Sequence, residues 1–252
     1  MNTGNQETFS KVPEVTLVFW IMKILATTLG ETGGDAVSMS MNLGYLVSTG
    51  IFGILFLFAV IIQIATKKFH PLIYWTTIIA TTTIGTTMAD FADRSLHIGY
   101  AGGTTVLFAL LMTSLFVWHR TLGSIAVNTV SSPKSELFYW VTIMFSQTLG
   151  TALGDWTADT AGFGYVHGAM VFSGLLIVIA IAYFRTKISR TILFWTAFIL
   201  TRPLGAVAGD FLDKPIDAGG LHISRYTVSA ALFVLILLFV FVLPHKAAQK
   251  SH

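Results

Sequence analysis

One pattern occurs four times along this chain without a gap, and it constrains the fold more than any other feature. A tryptophan is followed by glycine ten positions later, by aspartate fifteen positions later and by a second glycine twenty-four positions later. The tryptophans are Trp20, Trp75, Trp140 and Trp195, so the copies are spaced by 55, 65 and 55 residues. A fixed period of this length indicates copies of one supersecondary unit that bury their faces against one another. The longer middle spacing divides the chain into two halves of two repeats.

Composition indicates the environment of these repeats. Hydrophobic residues make up 54% of the chain and charged residues only 11%, whereas soluble proteins contain about a quarter charged residues. Each repeat has an apolar run close to the roughly 20 residues that span a bilayer, and the helix from its tryptophan to its aspartate is a second candidate span. The runs are 50–65, 105–118, 169–184 and 226–243. The sequence therefore predicts an all-α polytopic membrane protein with eight transmembrane helices, arranged as four parallel helical-hairpin repeats.

The domain organisation follows from these units. We expect a single transmembrane domain over 1–252, with a seam between its halves at 121–136 and repeats at about 14–68, 71–120, 136–187 and 191–246. Because each unit has two helices, every copy enters the membrane in the same direction, and the repeats are related by an axis along the membrane normal. The first apolar segment carries the repeat and lacks a small-residue cleavage site, so we interpret it as a retained helix.

Positive charge predicts the orientation. Three basic residues lie in the turns within helix pairs: Arg94, Lys214 and Arg225. Ten lie at the termini or between pairs: Lys11, Lys67, Lys68, Arg120, Lys134, Arg185, Lys187, Arg190, Lys246 and Lys250. This bias predicts that both termini are cytoplasmic and that the acidic turns face outward. It also accounts for the net charge of +3, so nucleic-acid binding need not be invoked.

The aspartate of each repeat is expected inside the membrane, near its outer surface. Each tryptophan lies close to the start of its helix, where an interfacial aromatic belt is expected. The aspartate follows about 22 Å further along at ~1.5 Å per residue, within a hydrocarbon core of ~30 Å. The repeated glycines allow helices to approach closely, and we interpret them as packing or helix-end residues rather than ion ligands.

Each first helix carries a polar stripe. Positions seven, eleven and fifteen after the tryptophan fall on one helical face, and such a stripe should face the bundle interior or a wet cavity. The four stripes are Thr27, Glu31 and Asp35; Thr82, Thr86 and Asp90; Gln147, Thr151 and Asp155; and Arg202, Ala206 and Asp210. A second carboxylate accompanies each repeated aspartate at helical spacing; these are Glu31, Asp93, Asp159 and Asp213.

Converging aspartates predict a cation site. Four neighbouring carboxylates cannot all stay ionised without a cation or shared protons, so such a site can exchange protons for a metal ion. Oxygen ligands with an occasional imidazole favour Mg, Ca or Mn over Zn, and the chain has no cysteine to supply a thiolate. The candidate metal ligands are Asp35, Asp90, Asp155 and Asp210, with His97, His167 and His222 as further candidates in the same layer. The candidate second shell or proton relay is Glu31, Asp93, Asp159, Asp213, Thr27, Thr82, Gln147, Arg202 and Lys23.

Two basic residues within the spans have no counterpart in the other repeats. Lys23 and Arg202 either compete with a transported cation or form structural ion pairs with Glu31 and one of the aspartates. The sequence leaves both interpretations open.

The leading hypothesis is a transporter, an antiporter for proton-coupled export of a divalent metal cation. It requires no covalent cofactor; its partners would be membrane lipids, a small inorganic cation and protons, and a homo-oligomer is compatible with it. The alternative is a non-transporting scaffold or sensor module whose aspartates are structural helix-end caps; it predicts no continuous polar path from the aspartates to the cytoplasmic side. A membrane-embedded enzyme with carboxylates around a metal is a weaker third hypothesis, because no catalytic motif is present and no catalytic residue is predicted.

The motifs TLGETGGD, TIGTTMAD, TLGTALGD and PLGAVAGD resemble those of a family of bacterial uncharacterised membrane-anchored proteins built from four copies of a repeat of unknown function. The resemblance covers nearly the whole chain. It implies a four-repeat, multi-pass protein of the bacterial inner membrane and no particular activity. The fourth repeat departs from the pattern with Arg202-Pro203 where the others have Thr-Thr or Gln-Thr, so a twofold or asymmetric site is expected rather than a fourfold one.

Overall fold

The computed structural model describes residues 10–249, so Lys250, one of the ten basic residues used to predict orientation, lies outside the described residues. Within this range the chain is all-α, as predicted. Its helices are α1 (Leu17–Asp35), α2 (Gly44–Ala65), α3 (Pro71–Asp90), α4 (Tyr100–Leu122), α5 (Pro133–Asp155), α6 (Gly164–Arg185), α7 (Arg190–Asp213) and α8 (Arg225–Val242). Five of them, α2, α4, α6, α7 and α8, are long and apolar enough to cross a membrane.

The first helices of the four repeats form a closed inner ring. Helix α1 packs against α3, α3 against α5, α5 against α7, and α7 against α1. The second helices α2, α4, α6 and α8 lie outside this ring and expose large apolar side chains, as expected for surfaces in contact with lipid. Examples are Phe58, Phe108, Val178 and Phe241, which are between 54% and 73% exposed.

The predicted helical hairpins are not the packing units of this fold. The second helix of each repeat packs chiefly against the first helix of the next repeat: α2 against α3, α4 against α5, α6 against α7, and α8 against α1. In three repeats the first helix continues into a π-helical turn, at Ala36–Ser40, Phe91–Ser95 and Trp156–Thr160. Stacked repeats bury their apolar faces on their neighbours rather than within one unit, and here α8 closes the circle on α1.

The first glycine of every repeat brings two inner helices together. A Cβ atom added at this glycine would overlap the residue seven positions after the next tryptophan, all the way round the ring. The four contacts are Gly30 with Thr82, Gly85 with Gln147, Gly150 with Arg202, and Gly205 with Thr27. The predicted packing role of these glycines is therefore confirmed.

The last glycine of every repeat has a conformational role. It lies at the start of the second helix in three repeats and follows a 3₁₀ turn in the fourth. Gly44, Gly99, Gly164 and Gly219 have φ values between +66° and +89°, a region that residues with a Cβ rarely adopt. The predicted helix-end role of these glycines is also confirmed.

The prediction that the tryptophans form an interfacial belt is wrong for three of the four, because Trp75, Trp140 and Trp195 are at most 3% exposed. The residue before each tryptophan lies against the tryptophan of the next repeat, with ring centroids 5.7 to 6.2 Å apart. The pairs are Phe19 with Trp75, Tyr74 with Trp140, Tyr139 with Trp195, and Phe194 with Trp20. Tilted and edge-to-face contacts of this kind are favourable. We call these eight rings together the aromatic ring. The end of the bundle that they close is called the tryptophan end, and the opposite end is called the aspartate end.

The connection between the two halves is held by the N-terminal segment. The Lys11 backbone N–H donates to Val130 O at 2.9 Å, and the Lys11 ammonium forms a buried ion pair with Glu136. An antiparallel bridge joins Pro13 to Ala247. The segment before α1, the segment after α8 and the connection between α4 and α5 are therefore tied together.

Candidate functional site

The predicted polar stripes face the interior of the inner ring. All twelve of their residues are at most 4% exposed, although eleven of the twelve side chains are polar or charged. Buried polar groups need partners inside the protein. The four inner helices therefore enclose a polar column that ends at the repeated aspartates.

One pair of aspartates is bridged by a lysine. The Lys214 Nζ atom lies 2.7 Å from Asp35 Oδ2 and 3.0 Å from Asp210 Oδ1. Asp35 ends α1 and Asp210 lies in the last turn of α7, whereas Lys214 directly follows α7. The lysine side chain is 14% exposed and the two aspartates are buried.

The other pair of aspartates is bridged by an arginine in the same way. Arg94 Nε lies 2.9 Å from Asp90 Oδ1, and Arg94 Nη2 lies 3.4 Å from Asp155 Oδ2. Asp90 ends α3 and Asp155 ends α5. The expected departure from a fourfold arrangement is therefore confirmed, because the four aspartates form two similar pairs.

The twofold arrangement comes from a single repeat position. Nineteen residues after the tryptophan, the second and fourth repeats have Arg94 and Lys214, whereas the first and third have Met39 and Asp159. These two basic residues were predicted only to mark the orientation, and their role as partners of the aspartates was not predicted. Their position four residues after Asp90 and Asp210, respectively, was the signal that could have identified them.

The tightest group of carboxylates differs from the predicted ligand set. One carboxyl oxygen from each of Glu31, Asp35 and Asp210 can be chosen so that all three lie within 4.8 Å of one another. Glu31 was assigned to the second shell, and in the described part of the chain Asp90 and Asp155 do not join this group. Carboxylate oxygens are the ligands that Mg²⁺, Ca²⁺ and Mn²⁺ prefer. Asp35 Oδ1 is buried and has no hydrogen-bond partner among residues 10–249.

Arg202 crosses the column just below the aspartates. Its side chain is fully buried, and Nη2 lies 2.8 Å from Glu31 Oε2 and 2.6 Å from Thr86 Oγ1. The same atom contacts Thr151 Oγ1. Its Cγ atom lies against Gly150, where any Cβ would overlap it. Arg202 therefore forms the ion pair with Glu31 that was one of the two interpretations of this residue.

Lys23 does not form the ion pair that was considered for it. Its Nζ atom lies 3.3 Å from Gln147 Oε1 and 4.2 Å from the centroid of the Phe198 ring. No carboxylate between residues 10 and 249 forms an ion pair with it. The side chain is nevertheless 0% exposed, so a basic group is enclosed with an amide oxygen and a ring face beside its terminal nitrogen.

The polar column is closed toward the tryptophan end. Lys23 is the polar member of a layer three residues after each tryptophan. The other members of this layer are Ile78, Ile143 and Phe198, and all are fully buried. The aromatic ring lies directly below. Among these repeated inward positions, Lys23 is therefore the last polar side chain before the aromatic ring.

The three other second carboxylates have different environments. Asp93 is buried against Gly103, and burial raises the pKa of its carboxyl to about 6. Neither of its oxygens has a hydrogen-bond partner within residues 10–249. Asp213 accepts a hydrogen bond from Arg225 Nε at 2.7 Å. Asp159 is exposed and lies outside the buried group, contrary to its predicted place in a relay.

The structure does not bring the candidate histidine ligands to the carboxylates. His97, His167 and His222 are all exposed. His97 and His222 have φ values of 56° and 55° in the connections. His167 lies in the first turn of α6, and its Nδ1 atom is 3.1 Å from the carbonyl oxygen of Phe163, the residue before the helix. Their similar positions along the chain therefore do not form a shared site.

The aspartates do not act as helix caps. Asp35, Asp90 and Asp155 each precede a π-helical turn and make no capping hydrogen bond to it, and Asp210 lies within α7. A carboxylate near the C-terminal end of a helix is also disfavoured by the helix dipole. The contacts with Lys214 and Arg94 account for their burial instead.

Comparison with known proteins identifies a family but no function. The family described as Repeat of Unknown Function (DUF347) matches the chain four times, at residues 18–69, 73–124, 138–189 and 193–247. No curated protein and no solved structure matches the chain.

Proposed function

We propose that this chain, which belongs to the family described as Repeat of Unknown Function (DUF347), is a membrane transporter that exports a divalent metal cation in exchange for protons. In this proposal all eight helices cross the bacterial inner membrane. Both termini and the tryptophan end are cytoplasmic, and the aspartate end faces outward. The exposed apolar faces of the outer helices and the predicted distribution of basic residues support this orientation.

The observation that carries the proposal is the group formed by Glu31, Asp35 and Asp210. Their oxygens lie within 4.8 Å of one another, and the Lys214 ammonium is bound to two of the three carboxylates. A position that holds an ammonium group between carboxylates is suited to positive charge. Lys214 lies just outside α7, and its ammonium is carried by a flexible side chain. The ammonium can therefore withdraw when a metal ion takes its place.

Proton coupling follows from the same crowding of carboxylates. Three neighbouring carboxyl groups stay ionised only when a cation compensates their charge, and otherwise share protons. A metal ion that enters would release protons from the group, and protons would replace the ion when it leaves. Arg202 supports Glu31 from below and keeps part of the compensating charge in place throughout the cycle.

Transport also requires the tryptophan end to open. The aromatic ring and the layer containing Ile78, Ile143 and Phe198 separate the carboxylates from that end. In our proposal the described conformation is the one closed to the cytoplasm. The two halves, each contributing two inner helices, would rock against each other to open it.

The alternative function, a scaffold or sensor module, is favoured by one specific observation. All four repeated aspartates are already ion-paired with Lys214 or Arg94, and the buried side chains of Ile78, Ile143 and Phe198 lie between them and the tryptophan end. In this alternative the ion pairs join neighbouring inner helices at the aspartate end and have no transported ligand.

Metal flux into proteoliposomes separates the two functions. We expect saturable Mn²⁺ movement with opposite proton movement for the native chain. Because each of Asp35 and Asp210 supplies a carboxylate to the group, Asp35→Asn and Asp210→Asn should reduce the flux at least about tenfold. Asp159→Asn is the matched control, because Asp159 is exposed, and it should leave the flux unchanged.

Two outcomes would contradict the transporter. If the folded native chain moves none of Mn²⁺, Mg²⁺, Ca²⁺ and Zn²⁺, the scaffold or sensor function is the better account. If Asp35→Asn and Asp210→Asn transport as the native chain does, the carboxylate group is not the site. Size-exclusion chromatography of each variant establishes that it is folded.

A further inference from the structure

We propose that Lys23, Gln147 and Arg202 form a binding site for a small monovalent anion, such as chloride, inside the inner ring. This site is separate from the carboxylate group and does not depend on the proposed transport of a cation. It lies between the aromatic ring and the layer of repeated aspartates.

The charge of this part of the column is the first observation. Among the inward positions three, seven and eleven residues after the four tryptophans, the charged residues are Lys23, Arg202 and Glu31. All three are at most 3% exposed, and Glu31 is paired with Arg202. When Lys23 is protonated, one positive charge is left without a carboxylate partner in an enclosed region, where it is strongly unfavourable unless an anion compensates it.

Unpartnered hydrogen-bond donors are the second observation. Arg202 uses Nη2 for Glu31, Thr86 and Thr151, whereas its Nε and Nη1 atoms are buried without a partner among residues 10–249. Gln147 accepts from Lys23 through Oε1. Its Nε2 atom is likewise buried and unpartnered in that range.

The chemistry of these groups selects an anion. The guanidinium Nε and Nη1, the ammonium and the amide Nε2 can only donate hydrogen bonds. The buried hydroxyls of Thr82 and Ser146 also lack a partner among residues 10–249, and hydroxyls can donate as well. A cation finds no free carboxylate at this level, whereas a monovalent anion would compensate the charge of protonated Lys23 and accept hydrogen bonds from donors of this kind.

The packing of the ring limits the size of the anion. Gly85 brings α3 onto Gln147, and Gly150 brings α5 onto Arg202, so the inner helices touch on both sides of the donors. Ile78, Ile143 and Phe198 close the column below. We expect this enclosure to admit a halide or nitrate and to exclude a large organic anion such as gluconate.

Thermal unfolding of the purified chain in detergent tests the site. Sodium chloride replaces sodium gluconate in steps at constant ionic strength and pH, with EDTA present so that no metal contributes. A ligand that binds only the folded chain raises Tm in a saturable way, so we expect Tm to rise with chloride. The absence of any difference between chloride and gluconate for the native chain would overturn the proposal.

Two variants assign the effect to this site. Lys23→Met keeps the length of the side chain and removes its charge, and should weaken chloride binding at least about tenfold, because hydrogen bonds to charged groups are strong. Lys214→Met instead removes the lysine that bridges Asp35 and Asp210, and this variant should keep the chloride-dependent rise in Tm. A full chloride shift in Lys23→Met would refute the assignment.

A direct measurement on the native chain covers the case in which Lys23→Met does not fold. Crystals of the native chain grown in sodium bromide should show an anomalous scattering peak between Lys23, Gln147 and Arg202. Well-ordered crystals without such a peak would overturn the proposal. None of these measurements involves a metal, so failure of the transport proposal would leave their outcome unchanged.

Discussion

Replacing Gly85 by alanine tests the close packing of the inner ring. A Cβ atom there would lie 2.9 Å from Gln147 Cβ, 3.0 Å from the Gln147 carbonyl carbon and 3.1 Å from Thr148 N. Because non-bonded carbons rest about 3.5–4.0 Å apart, α3 and α5 would have to separate by roughly half an ångström or more. Two of the three atoms belong to the backbone and cannot rotate away. Overpacking of this kind costs about 1–3 kcal/mol, and the better helix propensity of alanine offsets at most about 1 kcal/mol.

Gly50→Ala is the matched control, because no atom lies within 4 Å of a Cβ atom added to this helical glycine. Both variants receive the same gain in helix propensity, so the difference in their free energies of unfolding isolates the overlap at Gly85, about 1–3 kcal/mol. Unfolding by SDS in mixed micelles, followed by tryptophan fluorescence, measures this difference. Equal stability of the two variants would show that α3 and α5 do not approach each other as described.

Three further sets of substitutions test other parts of the structure. Gly30→Ala should destabilise the chain because its Cβ would meet Thr82 side-chain atoms. Adding Thr82→Ala removes two of the three nearest atoms and should restore part of the lost stability. Simply additive losses in the double variant would contradict this contact. Asp93 has a pKa raised by burial to about 6, so the folded chain holds this proton more tightly than the unfolded chain, and stability should fall as pH rises from about 4 to above 6. That fall should be smaller in Asp93→Asn when Tm is measured across this range, and an unchanged pH dependence would refute the assignment. Lys11→Met leaves the buried Glu136 carboxylate unpaired and should lower the free energy of unfolding by about 3–5 kcal/mol in the same SDS titration. The double variant Lys11→Met, Glu136→Gln should lose less. Native stability in the single variant would argue against a buried ion pair.

Several features of the fold were predictable because they depend on local helical periodicity. Positions seven, eleven and fifteen after each tryptophan share one face of any α-helix, and all twelve residues at these positions are buried in the inner ring. The two repeated glycines were predicted to serve packing and helix ends for a similarly local reason. Gly85 and Gly99 illustrate the two roles, since the first lacks room for a Cβ and the second has a φ of +75°.

Partners from different repeats were not predictable in this way. Lys214 bridges Asp210 to Asp35, which lies 179 residues before the lysine in the chain. No periodicity along one helix identifies that pairing. The histidines were predicted to join the aspartates because they lie at similar chain positions. His97 and His222 lie in connections and His167 lies in α6, and all three side chains are exposed. A similar position along the chain does not determine which way a side chain faces.

The class, the four repeats and the inward face of each first helix could be predicted from the sequence, because composition and a 3.6-residue period are properties of one segment. How the repeats close depends on contacts between different repeats. Each second helix lies on the first helix of the next repeat, and the residue before each tryptophan packs on the next tryptophan. This closure buries three of the four tryptophans and gathers Glu31, Asp35 and Asp210 into one group. Such contacts depend on which neighbour a helix meets when the ring closes, and that choice depends on the packing of all the helices together.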